Sequence, residues 1–139
     1  MSNLDNSIKL NVEMNLASNK THLKTADIEF LKSKLGFEKV FTRVDILKKY
    51  DHDYTEDFHF LPEVVIIPTE VKEVSLLASY CNKNEIPLTV RGAGTGLSGG
   101  ALPINKGVLL SMERFNQILK IDERNFQATV EPAVITQVF

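Results

Sequence analysis

A single cysteine, Cys81, stands among the 139 residues, which excludes an internal disulfide and any cysteine-based zinc cluster. Neither sign of charge dominates, since 16 Lys and Arg face 18 Asp and Glu for a net charge of −2. The chain therefore lacks an electrostatic footprint for nucleic acid or for an anionic membrane. No apolar run approaches the ~20 residues of a membrane span, and Met1-Ser-Asn-Leu-Asp5 has neither the basic start nor the apolar stretch of a secretion signal. A cytoplasmic address is the default expectation. Glycine is scarce as well, seven in all, and the scarcity makes its distribution informative: Gly92, Gly94, Gly96, Gly99 and Gly100 fall in one short stretch. The apolar fraction of 43% is ordinary for a globular protein, and a chain of this length suits one domain able to bury roughly two thirds of its unfolded surface.

That stretch is Leu88-Thr-Val-Arg91-Gly92-Ala93-Gly94-Thr95-Gly96-Leu97-Ser98-Gly99-Gly100-Ala101. Glycine takes positive φ without steric cost, so such a run can turn successive N–H groups toward one point and form an anion nest. Thr95 and Ser98 add hydroxyl donors, and Arg91 adds a charge, either beside a phosphate or as an anchor for the loop. A diphosphate is the guest that this chemistry suits. Gly94-x-Gly96-x-x-Gly99 also satisfies a dinucleotide fingerprint, with Glu113 at the distance of a ribose-binding acid, but that fingerprint must open a helix. Pro103 and Gly107 leave no room for one. A P-loop is excluded because no Gly-Lys-Ser/Thr follows the glycines.

Along the chain, residues 1–24 are Asn- and Ser-rich with no sustained period and read as a poorly ordered arm. Residues 25–60 read as an N-terminal helical segment. Ala26–Leu35 places Ile28, Leu31 and Leu35 on one face, with Thr25 as N-cap and Gly36 as a left-handed terminator. A second short helix from Arg43 to about Tyr50 presents Val44 and Leu47. His52, Asp53, Asp57 and His59 lie close together in sequence, but their spacing matches no metal-ligand motif, and the stretch reads as a solvated turn. Neither a metal site nor a catalytic residue is assigned.

Residues 61–139 carry strand signals. Val64–Ile67 is a β-branched run between Pro62 and Pro68, as in a strand covered on both faces. A helix from Glu70 to Asn84 follows, with Thr69 as N-cap and Val71, Val74, Leu77, Ala78 and Cys81 as its buried stripe, so Cys81 reads as a small core residue. Ile86–Val90 and Gly107–Met112 are further strands. Strand–helix–strand implies a crossover between parallel strands, so the glycine loop leaves from a carboxyl end, where ligands collect. Ile118–Asp122 and Gln127–Glu131 read as a hairpin. Thr136–Phe139 reads as the first turn of a helix, which predicts an end inside a domain.

Pro62–Pro68, the helix with Glu73-Val74, Pro87–Ala101, Gly107–Met112 and Thr129-Val-Glu-Pro132 recur in the order seen in one family. From about Tyr50 to Phe139 the chain resembles the FAD-binding domain of the vanillyl-alcohol oxidase and p-cresol methylhydroxylase type. Within it, the wording is similar to the FAD-linked D-2-hydroxy-acid dehydrogenases, such as the D subunit of glycolate oxidase and the flavin D-lactate dehydrogenases. The resemblance implies an α+β (α/β) fold, a small parallel sheet with flanking helices that forms the first subdomain, with the chain ending within the second.

It also implies FAD held by Pro68, by Arg91, Gly92, Ala93, Gly94, Thr95, Gly96, Leu97, Ser98, Gly99, Gly100 and Ala101, and by Pro132. The loop has none of the histidine that tethers flavin in some relatives, so the FAD is expected to be noncovalent. The implied activity of the whole protein is oxidation of a D-2-hydroxy acid such as glycolate or D-lactate, at a cytoplasmic or membrane-peripheral address. The same fold also serves other flavin oxidases and ether-lipid synthases, and a non-catalytic nucleotide-binding module is a further alternative. Family substrate ligands lie in a C-terminal domain, and His22, His52 and His59 do not fit that role. The 139 residues by themselves are expected to be inactive, to hold FAD weakly and to self-associate, with no nucleic-acid partner. Tyr50-x-x-Asp53-x-Thr55 resembles a segment that precedes the first FAD-domain strand in the family, with the role of Asp53 open. One departure stands out: Ala133 occupies a position where the family commonly has glycine after Val-Glu-Pro. If that position requires positive φ, alanine costs roughly 1 kcal/mol or more there.

Overall fold

In the computed structural model, residues 23–55 and 58–135 are described. The expectations for residues 1–22, for His22 and Asp57, and for the turn of helix at Thr136–Phe139 lie outside them. The centre of the molecule is β4 (Val108–Ser111), buried along its whole length. It pairs in parallel with β2 (Val64–Ile66) on one side and with β3 (Leu88–Arg91) on the other. A strand hydrogen-bonded on both edges and covered on both faces favours apolar residues on both, which is why Val108-Leu-Leu110 shows no alternation; the buried Ser111 at its end is satisfied by Glu113.

Period-2 geometry then divides these side chains between two cores. Val64, Ile66, Val108 and Leu110 face α1 (Thr25–Leu35) and α3 (Val71–Lys83), in a cluster with Leu31, Leu35, Leu77, Cys81 and Ile86. Val65, Ile67 and Leu109 face the other way, onto Leu47 of the short α2 (Val44–Leu47), with Phe41 and Tyr50 beside them. Phe30 stacks on Tyr80 at 4.4 Å between ring centroids, and the Tyr80 hydroxyl donates to Asp27 at 2.6 Å, which ties α1 to α3. Burial pushes the Cys81 thiol up to about 11, with Asp27 adding to it, as befits a core residue rather than a nucleophile.

Several details differ from the sequence reading. The sheet is mixed, because β1 (Val40–Phe41) adds an antiparallel edge to β2 in the order β1-β2-β4-β3. Residues 25–60 therefore contribute a strand and core side chains to the same sheet, as well as helices. Thr25 and Thr69 do not cap. The N-cap positions are Lys24 and Glu70, and a carboxylate inside each first turn reaches back, Asp27 to the Lys24 N–H at 2.8 Å and Glu73 to the Thr69 N–H at 2.8 Å. Gly36 has φ 99 but ψ 143, an extended glycine-only conformation rather than the left-handed helical one. Val71 is 74% exposed and Val44 55%, while Ala78 also faces solvent; Leu76 and Tyr80 take their places against the core. The second sheet is the hairpin of β5 (Ile118–Asp122) and β6 (Gln127–Val130), closed by Asp122, which accepts from the Asn125 N–H at 3.1 Å.

Leu109 is fully buried at the centre of the second core. Leu109→Ala should lower unfolding free energy by about 2–5 kcal/mol, read from urea denaturation with an unchanged slope. A loss below 1 kcal/mol, about the worth of one methylene, would mean that this face is not packed as described.

Candidate functional site: the glycine loop at the strand ends

Because β2, β4 and β3 are parallel, their carboxyl ends share one edge of the sheet. Pro68, Met112 and the glycine loop leave from that edge. β3 ends at Arg91, whose carbonyl accepts from the Met112 N–H at 2.8 Å, so the loop departs from a fixed point. No helix follows the glycines: residues 92–107 form turns back to β4, which removes the Rossmann reading in structural terms. Glu113, the other half of that reading, accepts from the Tyr50 hydroxyl at 2.9 Å and from Ser111 Oγ at 3.0 Å. Burial and the Glu113 carboxylate push the Tyr50 phenol up to about 12, so it stays protonated as a donor.

Two glycines in the loop have left-handed backbone, Gly94 at φ 72 and Gly99 at φ 70. The positive φ favours glycine at Gly94, and a Cβ there would also displace the Arg91 guanidinium from its present position. The guanidinium itself donates to the His52 carbonyl and stands 5.8 Å from the centroid of the Tyr50 ring. Of the two roles open to Arg91, this geometry favours the anchor. Gly99 N–H donates to Thr55 Oγ1 at 2.8 Å, and the Leu102 N–H donates to the Gly99 carbonyl at 3.1 Å.

Between these anchors the loop is open. Among the described residues, no hydrogen bond engages the N–H groups of Ala93, Gly94, Thr95, Gly96, Leu97 or Ser98, and Leu97 is 75% exposed. Gly94 is buried against the Arg91 guanidinium, while Ala93 and Thr95 to Ser98 are exposed, and these exposed backbone donors are the cradle that an anionic group needs. The N-terminus of α3 is not an alternative seat, because Glu73 fills it, held there by Lys39. Burial pushes the Glu73 carboxyl up, but the Lys39 charge and the Thr69 and Glu70 N–H groups outweigh it and hold the carboxyl below its ordinary range.

The structure brings some expected residues together and separates others. Pro132 reaches the loop: its carbonyl lies 3.4 Å from where a Gly92 Cβ would be. Pro68 sits at the same strand-end edge and is fully buried. Ala133 is not among the residues with positive φ, and its N–H donates to the Phe115 carbonyl at 2.9 Å, so alanine is accommodated without strain. The acidic turn divides. Asp51, rather than Asp53, meets both imidazoles, His52 Nδ1 at 2.7 Å and His59 Nδ1 at 3.3 Å, so the three side chains form a cluster with ligand atoms within 4.8 Å of one another. Asp53 is 6% exposed and lies beneath the glycine loop, contrary to the solvated reading. The Tyr50-x-x-Asp53-x-Thr55 spacing was the signal for that position.

An α+β sheet with an open glycine cradle at the carboxyl ends of parallel strands defines a nucleotide-cofactor-binding domain. Residues 62–139 match the family described as FAD binding domain. The chain belongs to that family, and its cofactor is FAD. It is 41% identical over 87 residues to glycolate oxidase subunit GlcD of Bacillus subtilis, covering 63% of this chain and 18% of the relative. It is 37% identical over 98 residues to a D-lactate dehydrogenase of Anaerostipes hadrus, covering 67% and 21%. A p-cresol methylhydroxylase structure superposes with a TM-score of 0.68 at 28% identity, over 77% of this chain and 22% of that one. The chain spans about a fifth of the length of the curated relatives it matches.

A carboxylate held low by folding stabilises above its unfolded pKa, and that contribution is lost as pH falls through the folded value. Stability should therefore drop as pH falls below the ordinary 4.5 of Glu73. Glu73→Gln should flatten this part of the profile, measured as thermal midpoint against pH. An identical slope in the variant would remove Glu73 as its source.

Proposed function

We propose that this chain is the cofactor-holding part of a flavin-dependent oxidoreductase that oxidises a D-2-hydroxy acid, such as glycolate or D-lactate, to the 2-oxo acid. The observation that carries the cofactor half of this reading is the open run of N–H donors from Ala93 to Ser98, set between anchors at Arg91 and Gly99. Main-chain donors in such a nest take a diphosphate without a counter-charge. The backbone from Arg91 to Ala101, with the Pro68 and Pro132 backbones on either side, forms the wall against which FAD lies, and Thr95 and Ser98 add hydroxyl donors. When bound, the flavin would supply hydride-acceptor chemistry toward the substrate α-carbon, and the protein would supply position and electrostatics. No side chain in the described residues is assigned a proton-transfer role.

The substrate half rests on likeness. The relatives named as glycolate oxidase subunit and D-lactate dehydrogenase are about 40% identical, against 28% for the phenol-oxidising structure. This favours a 2-hydroxy acid over a phenol. Two experiments test the reading. In the intact protein, Gly94→Val should abolish flavin retention while the far-ultraviolet dichroism stays unchanged, and flavin absorbance at wild-type stoichiometry in the variant would overturn the assignment. The intact protein should also reduce a dye with D-lactate or glycolate and not with p-cresol; the reverse preference would move it to the phenol oxidases.

The 139 residues alone should bind FAD weakly and show no turnover, because one diphosphate site cannot recover the ordering entropy of a long flexible ligand. The exposed Leu119, Ile121 and Phe126 of the hairpin should promote self-association in this form. Gel filtration and an absorbance spectrum decide the matter: a monomeric yellow protein would show that these residues suffice.

A further inference from the structure

Asp53 presents an unresolved charge. The residue is only 6% exposed, Oδ1 accepts from the Thr55 N–H at 2.8 Å, and Oδ2 is buried without a hydrogen-bond partner among the described residues. An isolated buried carboxylate is costly and normally becomes neutral. Burial does push this one up, but the Thr55 N–H and hydroxyl, the Ala101 N–H and the Arg91 charge outweigh it and keep the group ionised. Oδ2 faces the loop: a Cβ at Gly96 would lie 3.9 Å from it. Thr55, held by Asp53, in turn accepts from the Gly99 N–H at 2.8 Å.

The arrangement has a direction. The Asp53 carboxylate takes up the Thr55 N–H and the Thr55 hydroxyl takes up the Gly99 N–H on the lower side of the loop, while the donors from Ala93 to Ser98 stay free of hydrogen bonds. A loop of glycines has many conformations, and binding an anion in one of them is weakened by the cost of selecting it. Acceptors beneath the loop make that selection before the ligand arrives.

We propose that Asp53 and Thr55 are positioning residues that hold the glycine loop from below in its anion-binding form. The proposal rests on the reading of that loop as the FAD diphosphate site. Neither residue needs to touch the cofactor; their effect passes through Gly99 and the backbone at Gly96 and Ala101.

The test uses Thr55→Val, Thr55→Ser and Asp53→Ala in the intact protein, with two readouts. In the cofactor-free form, the Gly99 and Leu102 amides should exchange hydrogen about tenfold faster in Thr55→Val than in wild type, with Thr55→Ser unchanged. By titration, FAD should bind about tenfold more weakly to Thr55→Val, and more weakly still to Asp53→Ala, with Thr55→Ser again at the wild-type value. Weaker FAD binding with unchanged exchange would overturn the proposal in favour of direct contact. Unchanged binding in Thr55→Val and Asp53→Ala, alongside flavin loss in Gly94→Val, would overturn the positioning role and leave the FAD site standing. Retention of flavin in Gly94→Val would remove the site and the proposal with it.

Discussion

The parallel pairing of β4 with strands on both of its sides is the constraint on which the remaining structure depends. Parallel strands all point their carboxyl ends one way, so three separate parts of the chain are delivered to one edge: Ile67-Pro68, Arg91-Gly92 and Met112-Glu113. Neither the glycine loop nor the Asp53 segment would meet without that delivery. The hydrophobic effect supplies the energy, since Val108, Leu109 and Leu110 are apolar and fully buried, with a core on each face. Hydrogen-bond geometry supplies the direction.

The edge so formed is rigid underneath and open on top. Below the loop are Arg91, packed over Tyr50 and bonded to the His52 carbonyl, and the Asp53–Thr55 pair. Above it are backbone donors with little in their way. This division resolves an apparent conflict, because a buried carboxylate close to a diphosphate site is repulsive by simple charge counting. One oxygen of the Asp53 carboxylate is taken up by the Thr55 N–H, and the loop lies between the group and solvent. What an incoming anion meets first is a row of N–H dipoles.

Much of this was legible locally. The β-branched run at Val64–Ile67, the hairpin around Asn125 and the glycine cluster are patterns of neighbouring residues, and each appears where the pattern put it. Motif order was also enough to reach FAD. What could not be read was whatever depends on partners distant in sequence. β1 is two residues long and owes its existence to the edge of β2. Thr25 and Thr69 have the right chemistry for caps, but the caps fall at Lys24 and Glu70, and Asp27 and Glu73 reach back from inside the first turn to the Lys24, Thr69 and Glu70 N–H groups. Val71 follows the helical period of the core face, but it sits at the first turn of α3, and Leu76 and Tyr80 pack in its stead. The Asp53 carboxylate looked solvated because its neighbours in sequence are polar; its burial is decided by a loop more than 40 residues away.

The connection between β3 and β4 has a kinetic meaning. These strands are adjacent and parallel, yet the chain between them, residues 92–107, contains no helix. A helix in that place would fold locally and shorten the search for the pairing; a glycine-rich loop leaves the search to diffusion and loop-closure entropy. β3 is also the outer strand of its sheet, bonded on one side only, with Val90 half exposed. The strand that carries the cofactor loop is thus an edge strand whose pairing closes a long loop. A bound dinucleotide would act as the missing clasp across that connection, and the folding of the sheet edge and the loading of the flavin become a single coupled equilibrium.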